Sequence, residues 1–232
     1  MNTSPRASNE MSSTSKSRIY RDVRRAIIMG NCKPGERLDV EQLAHNYETS
    51  VTPVRDALQM LSQEGLVTIK PRSGYYVARI TLKELRDMLE LRKILELAAI
   101  ERSVLRATPE QLDELRHVHA GYTGDDDLSY DRYTDENRRF HYLLARASGN
   151  YELSELLGHL MDRLARFMVL RHAGQSQEAT HARIVESLQM HDLDTARKAL
   201  LDDIDASREA ILDGVMDDEA VLGRRDVIRL AS

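Results

Sequence analysis

The chain has 232 residues, is 41% hydrophobic and 31% charged, contains two Phe and no Trp, and carries a formal net charge of −5. That length allows one large domain or two modest ones, and a composition rich in Leu, Ala, Arg, Glu and Asp favours amphipathic helices over sheets. A single cysteine, Cys32, excludes an internal disulfide and points to a reducing compartment; no apolar stretch approaches the roughly 18 residues that span a bilayer, so a cytoplasmic location is expected.

The start of the chain, "MNTSPRASNEMSSTSKS", is Ser/Thr/Asn-rich and lacks the apolar core of a signal peptide. Residues 1–16 are expected to form a disordered tail. Charge is unevenly placed beyond it. Residues 1–80 hold 12 Lys/Arg against 8 Asp/Glu, while residues 81–232 hold 21 against 30. A basic first third joined to an acidic remainder implies two domains with different partners.

"RIYRDVRRAIIM", residues 18–29, puts Ile19, Val23, Ala26 and Ile27 on one helical face, with Gly30 as a stop. After "KPGER", Asp39 and Gln42 form a D-x-x-Q capping box, and Leu38 and Leu43 form a hydrophobic staple for a second helix from Val40 to about Tyr47. "SVTPVRDALQMLSQEG" is a third helix. Pro53 is tolerated in its first turn, whose amides have no intrahelical partner to lose. Either Ser50 or Thr52 can be the N-cap. Val54, Ala57, Leu58 and Leu61 face inward; Ser50, Val51, Thr52 and Arg55 face outward. "VTIKPRSGYYVA" then reads as a hairpin with basic residues at its tip. Three helices and a hairpin make a winged helix-turn-helix over residues 17–79, a fold that inserts its third helix into a DNA major groove.

The pieces "PGERL", "EQLA", "TPVRDAL", "EGLV" and "PRSGYYV" together closely resemble the winged-helix domain of GntR-family bacterial transcription regulators. The resemblance implies base-edge reading by Arg55, phosphate or base contacts from Ser50 and Thr52, and wing contacts from Arg72 and Gly74. Val51 stands where the family often has an arginine, which removes one guanine or phosphate contact and offers a surface to a thymine methyl. A lone exposed arginine would ordinarily read as a solvated residue pairing with Asp56 or Gln59. Within the complete motif, Arg55 reads as a DNA contact.

From Thr81 the pattern is helical throughout, and six helices are expected to form one bundle over residues 81–212. "TLKE" opens a long helix through Leu82, Leu85, Leu89, Arg92, Leu95 and Ala99; "TPEQ" caps the next; "GYTGDDDLS" is a loop. "YTDENRRFHYLLARA" follows, then a helix whose stripe is Leu153, Leu156, Leu160, Leu164 and Phe167, then "EATHARIVESLQM" and "LDTARKALLDDIDASREAI". Residues 213–232 lack a clear apolar face and are expected to be a tail. Polar residues interrupt the stripes: Asn137 and His141 share a face with Tyr133, His181 lies beside Ile184 and Val185, and Asp203 lies among Ala196, Ala199 and Leu200. One inward imidazole is usually a hydrogen-bonded core residue. Two imidazoles, a carboxylate and an amide oxygen from three helices can instead surround a divalent cation.

"ELRKILELAA", "ENRRFHYLLARASGN" and "THARIVESLQMHDLDTARKALLDDI" resemble the all-helical FCD effector domain of one GntR subfamily. Many such domains hold a metal through an acid, a histidine four residues on and two later histidines. His141 and His181 match; Asn137 replaces the acid and Asp203 replaces the third histidine. Zinc, nickel and manganese all suit that set. The resemblance also implies a carboxylate effector, held by Arg92 as a fork, with Glu96 one turn on and Tyr133 as neighbouring candidates. The plainer reading of Arg92 is a surface i,i+4 ion pair with Glu96, worth about a few tenths of a kcal/mol.

Together these readings imply a dimeric, ligand-responsive regulator, most simply a repressor, on an inverted-repeat operator. The competing class is a helical metalloenzyme, prompted by two E-x-x-H strings, "ELRH" at 114–117 and "EATH" at 178–181. Glu114 and His117 point away from the Leu112, Leu115, Val118 stripe, no nucleophile motif or phosphate loop is present, and no catalytic residue is expected.

Overall fold

The computed structural model describes residues 5–118, 127–168 and 174–229, with side chains over 15–118, 135–168 and 178–215. The chain divides into two compact units, one up to Leu82 and one from Lys83. The first contains α1 (Pro5–Ile28), β1 (Arg37–Leu38), α2 (Val40–Asn46), α3 (Val51–Gln63), β2 (Val67–Lys70) and β3 (Gly74–Val77). Its core is apolar: Ile19, Val23 and Ile27 of α1 meet Val54, Ala57, Leu58 and Leu61 of α3, closed by Leu66, Val67 and Val77. The four α3 residues are fully buried, as their spacing requires. On α1 the buried face is rotated slightly, so Ile28 is buried and Ala26 only half so.

Local signals set the ends of these helices. Asp39 accepts a hydrogen bond from the Gln42 backbone N–H at 2.9 Å. The Gln42 side chain donates instead to Asn46 Oδ1 at 2.8 Å, so only half of the expected capping box forms. Gly65, at φ +75°, ends α3 in the left-handed region that a side chain would disfavour. The wing is larger than a hairpin. β1 pairs antiparallel with β3 (Arg37 opposite Tyr76, Leu38 opposite Tyr75), and β3 pairs with β2 from Val67–Val77 to Lys70–Gly74. Two residues carry no periodicity of their own, so β1 is a product of tertiary pairing.

The second unit is formed by α4 (Leu82–Arg106), α5 (Pro109–Arg116), α6 (Asp127–Ala147), α7 (Tyr151–Met168), α8 (Gly174–Gln189) and α9 (Leu193–Arg229). Thr108 and Gln111 form a complete capping box on α5: the Thr108 hydroxyl accepts from the Gln111 N–H at 3.3 Å, and the Gln111 side chain accepts from the Thr108 N–H at 3.0 Å. Ile100 and Val104, Leu112 and Leu115, Phe140 and Leu144, Ile184 and Leu188, and Leu200 and Ile204 build the core from five helices. On α7 the buried line runs Leu153, Leu157, Leu160, Leu164 and Met168, leaving Leu156 half exposed. Leu156 and Leu157 offer α7 two adjacent apolar lines, and packing buries the one through Leu157. Gly158 lets α6 and α7 approach, since an added Cβ would lie 3.3 Å from the Tyr142 ring.

Both segments expected as tails are in large part helical. α1 extends back to Pro5, and α9 continues to Arg229. Extending an existing helix costs far less than nucleating one, so residues with weak patterning continue a helix anchored by their packed neighbours.

Candidate functional site

Two sets of polar residues stand out, one on the surface of the first unit and one inside the second. In the first unit, Ser50 is the N-cap of α3 by backbone conformation (φ −78°, ψ 167°), and its hydroxyl makes no capping hydrogen bond. Ser50, Thr52 and Arg55 are exposed along the first turn of α3, where unpaired amides and the positive end of the helix dipole also face out. Val51 differs from its expected place: it is half-buried and packs against the unit's core, helping to seat the helix. At the wing tip Arg72 is exposed and left-handed (φ +62°), followed by Gly74 at φ +114°. The Lys70 ammonium lies 4.5 Å from the centre of the Tyr76 ring, holding another cation beside the tip.

In the second unit, Arg92, Glu96, Asn137, His141, His181 and Asp203 are all at most 2% exposed. Arg92 and Glu96 lie one turn apart on α4, Asn137 and His141 one turn apart on α6, and His181 and Asp203 come from α8 and α9. Arg92 Nε donates to Glu96 Oε1 at 2.6 Å, and Arg92 Nη2 lies 2.9 Å from His141 Nε2. A guanidinium can only donate, so His141 Nε2 is the acceptor and the ring proton sits on Nδ1, 2.6 Å from Glu96 Oε2. The surface pair that α4 alone suggested is therefore a buried one.

Asp203 completes the cluster from the far side. Its Oδ2 is 3.5 Å from both Arg92 Nη2 and His141 Nε2, and its Oδ1 is 3.6 Å from His181 Nε2. Neither oxygen makes a hydrogen bond of ordinary geometry among the described residues. Burial pushes the Asp203 carboxyl up, but His181, His141 and Arg92 outweigh it and hold it well below the usual carboxylate range. Burial likewise raises Glu96, and His141 with Arg92 reverses that, so both carboxylates are ionised. For His181 burial prevails over the pull of Asp203 and depresses the imidazole below its ordinary range. Phe140 fixes that ring by stacking at 3.8 Å and an interplanar angle of 4°.

One ligand atom from each of His141, His181 and Asp203 lies within 4.8 Å of the other two, and this group could hold a metal ion. The fit rests on three observations. Two imidazoles and a carboxylate are a common donor set for divalent transition metals. Glu96 behind His141 is the carboxylate–histidine support that metal-binding imidazoles ordinarily have. The long distances around Asp203 leave a buried carboxylate poorly satisfied. Asn137 is buried one turn before His141 on the same face. Tyr133 falls in α6, but its side chain lies outside the described ones.

The paired E-x-x-H strings do not converge. Glu114 is exposed and binds Arg139 at 3.0 Å, His117 is exposed, and Glu178 points to solvent while His181 points inward. No second cluster of metal-ligating residues occurs among the described residues. Glu96, expected beside Arg92 as an effector candidate, lies inside the cluster; its hydrogen bond to His141 Nδ1 is the contact that the spacing on α4 does not encode.

Comparison with known proteins agrees with both units. Residues 15–77 match the gntR family of bacterial regulatory proteins, and residues 87–206 match the FCD domain. The HTH-type transcriptional regulator YdhC of Bacillus subtilis is 29% identical over 192 residues, covering 79% of this chain and 84% of its own. The HTH-type transcriptional repressor RspR of Escherichia coli is 27% identical over 188 residues, covering 78% and 82%. Among solved structures, Escherichia coli McbR/YncC superposes with a TM-score of 0.66 at 20% identity, covering 88% of this chain and 98% of that one. The chain belongs to the GntR family of bacterial DNA-binding transcription regulators, with an FCD domain as its second unit.

Proposed function

We propose that this regulator is a dimeric repressor that reads an inverted-repeat operator and releases it when a small carboxylate enters the FCD unit. The observation that carries the sensing half is the buried cluster itself. Among the Leu, Ile, Val and Phe side chains of the bundle core, two carboxylates, one guanidinium and two imidazoles are buried together. Such groups cost stability unless fully paired, and their retention is explained by guests that complete them.

His141, His181 and Asp203, with the Asn137 amide alongside, would hold a divalent ion, and zinc, nickel and manganese each suit the donors. When bound, such an ion supplies positive charge to anchor an anionic effector. Arg92 supplies the hydrogen-bonding fork for the carboxylate, Glu96 orients both Arg92 and His141, and Tyr133 on the Asn137 face is a further candidate contact. A cavity of about 310 Å³ between α5 and α8 is lined by Leu115, Arg116, Val185 and one member of the cluster, His181. The response requires that the effector bind one arrangement of the dimer better than the other.

Dimerisation is supported by α4. Leu91, Ile94 and Leu105 are exposed by 39%, 57% and 78%. At about 100° per residue they fall within about 60° of one another, an apolar strip suited to a second copy across a two-fold axis. On DNA, Arg55 reads a base edge, Ser50 and Thr52 meet phosphate or bases, and Arg72 and Gly74 bring the wing to the backbone. The repressing sign is the one carried in the name of the relative RspR. A regulator of this kind is not expected to turn over its ligand.

The test is binding of purified protein to duplex DNA from upstream of its own gene, across a salt series, with and without a panel of small carboxylates. Expected is a complex that resists unrelated competitor DNA, weakens steeply with salt and is released by a member of the panel. Absence of binding at low salt would overturn the operator reading.

A further inference from the structure

Both nitrogens of the His141 ring are already engaged. Nδ1 is 2.6 Å from Glu96 Oε2, and Nε2 accepts from Arg92 Nη2 at 2.9 Å. An imidazole offers a metal one lone pair, and with the ring proton directed at Glu96 that lone pair is the one on Nε2. A metal–nitrogen bond of about 2.0–2.1 Å and an N–H hydrogen bond cannot share it. The same Arg92 Nη2 lies 3.5 Å from Asp203 Oδ2. One nitrogen of one guanidinium thus engages two of the three residues that form the candidate ion site.

We propose that Arg92 is a built-in competitor of the metal: its guanidinium acts as an internal cation on His141 and Asp203 and must give up His141 Nε2 before a divalent ion can bind. The proposal rests on the metal reading above and adds to it a closed form of the site. Charge supports the exchange. Two buried carboxylates, Glu96 and Asp203, share the guanidinium of Arg92, so a second cation beside Asp203 is favoured there. An incoming ion satisfies Asp203, whose oxygens make no hydrogen bond of ordinary geometry. A displaced Arg92 keeps Glu96 as partner through Nε, and the terminal nitrogens it turns away from His141 are the ones a carboxylate accepts bidentately. The ion and the anionic effector would then support one another through a single side chain, and by linkage each would favour the other.

The competitor reading makes a prediction opposite to that of a merely supporting arginine. Replacing a group that stabilises an ion site weakens the site; replacing a competitor tightens it. Full-length protein stripped with a chelator would be titrated calorimetrically with nickel chloride alone, as wild type and as Arg92→Met, with thermal melts confirming that both are folded. Arg92→Met is expected to bind nickel at least about tenfold more tightly, the scale of one charge-assisted hydrogen bond. If Arg92→Met does not fold, Arg92→Lys replaces it under the same criterion, since a lysine cannot donate to Glu96 and His141 together in the guanidinium's fork geometry. Equal or weaker binding by the folded variant, with nickel still bound by wild type, overturns the competitor role and leaves the metal reading standing. Binding by the variant but not by wild type supports the competitor role and removes the metal from the native protein's function. Binding by neither overturns both.

Discussion

The two units place their polar side chains in opposite ways. In the winged-helix unit the core is wholly apolar, and the groups assigned to DNA (Ser50, Thr52, Arg55 and Arg72) stand exposed on a frame that does not need them. In the FCD unit the groups assigned to the ligand are buried in the fold, and Arg92, Glu96 and His141 are hydrogen-bonded to one another there. One unit can change its function without changing its stability. The other joins the two, so that the residues proposed to bind are also packing residues. A surface reader has to meet a large rigid partner, whereas a sensor of small anions must take the guest out of water to give its charges strength.

The strongest way to break this contrast is Glu96→Ala. It removes the acceptor from Arg92 Nε and from His141 at once, leaving the buried guanidinium the longer contact to Asp203 in place of that carboxylate. Loss of one partner from a buried pair costs about 3–5 kcal/mol, enough to unfold much of a marginal domain. Denaturant unfolding should show the transition of residues 83–215 moved to lower concentration while that of the winged-helix unit stays in place. A shift below about 1 kcal/mol, the scale of exposed pairs, would mean that the cluster is solvated rather than buried.

Arg55→Ala tests the other half. Unfolding should move by no more than about 0.5 kcal/mol, the usual range for an exposed site, while affinity for the specific operator falls by about 1–3 kcal/mol. The comparison that matters is with unrelated DNA. Equal losses on both would make Arg55 a phosphate contact, and the base-reading role would pass to other residues of the α3 turn.

How much of this could be read from the residues follows the same division. The spacing of Val54, Ala57, Leu58 and Leu61 gives the buried face of α3 directly, because one apolar stripe faces one core. His141, His181 and Asp203 were also visible as polar interruptions of apolar stripes, and the fold brings them together. Other features depend on contacts that no local pattern encodes. The pairing of Arg37–Leu38 with β3 is decided by the partner strand, and the choice of Leu157 over Leu156 by how α7 rolls against its neighbours. Glu96 was ambiguous for a chemical reason: an Arg and a Glu at i,i+4 are ordinarily a solvated pair. Only the arrival of His141 from α6 makes them a buried one.

A smaller effect comes from the cap of α5. Thr108 and Gln111 satisfy each other's backbone amides at the surface, with Pro109 in the first turn. Thr108→Ala should destabilise the FCD unit by about 1 kcal/mol and leave operator binding unchanged. Gln111→Ala should give part of the same loss, and the double variant should cost less than the two singles summed, since each removes one side of a shared motif. Additive losses would show that the two hydrogen bonds act independently.

The smallest effect expected is alkaline and confined to the winged-helix unit. The Tyr47 hydroxyl donates to Asp22 at 3.1 Å, joining the end of α2 to α1. Burial first, and Asp22 second, push the phenol up from 10 to about 12. Its proton is therefore held more tightly in the folded chain than in the unfolded one, and the associated stability is complete below pH 10, where both states are protonated. Between pH 10 and about 12 the unfolded chain loses the proton first, and that stability drains away. Melting temperature followed by circular dichroism over this range should fall faster for wild type than for Tyr47→Phe, which has no proton to lose. The ring is only partly buried, so the difference between the two slopes, rather than the size of either, is the quantity that identifies Tyr47. Parallel slopes would assign the alkaline loss to other groups and leave the α1–α2 junction to its other contacts, among them Arg18 Nη2 donating to the Tyr47 carbonyl at 3.1 Å.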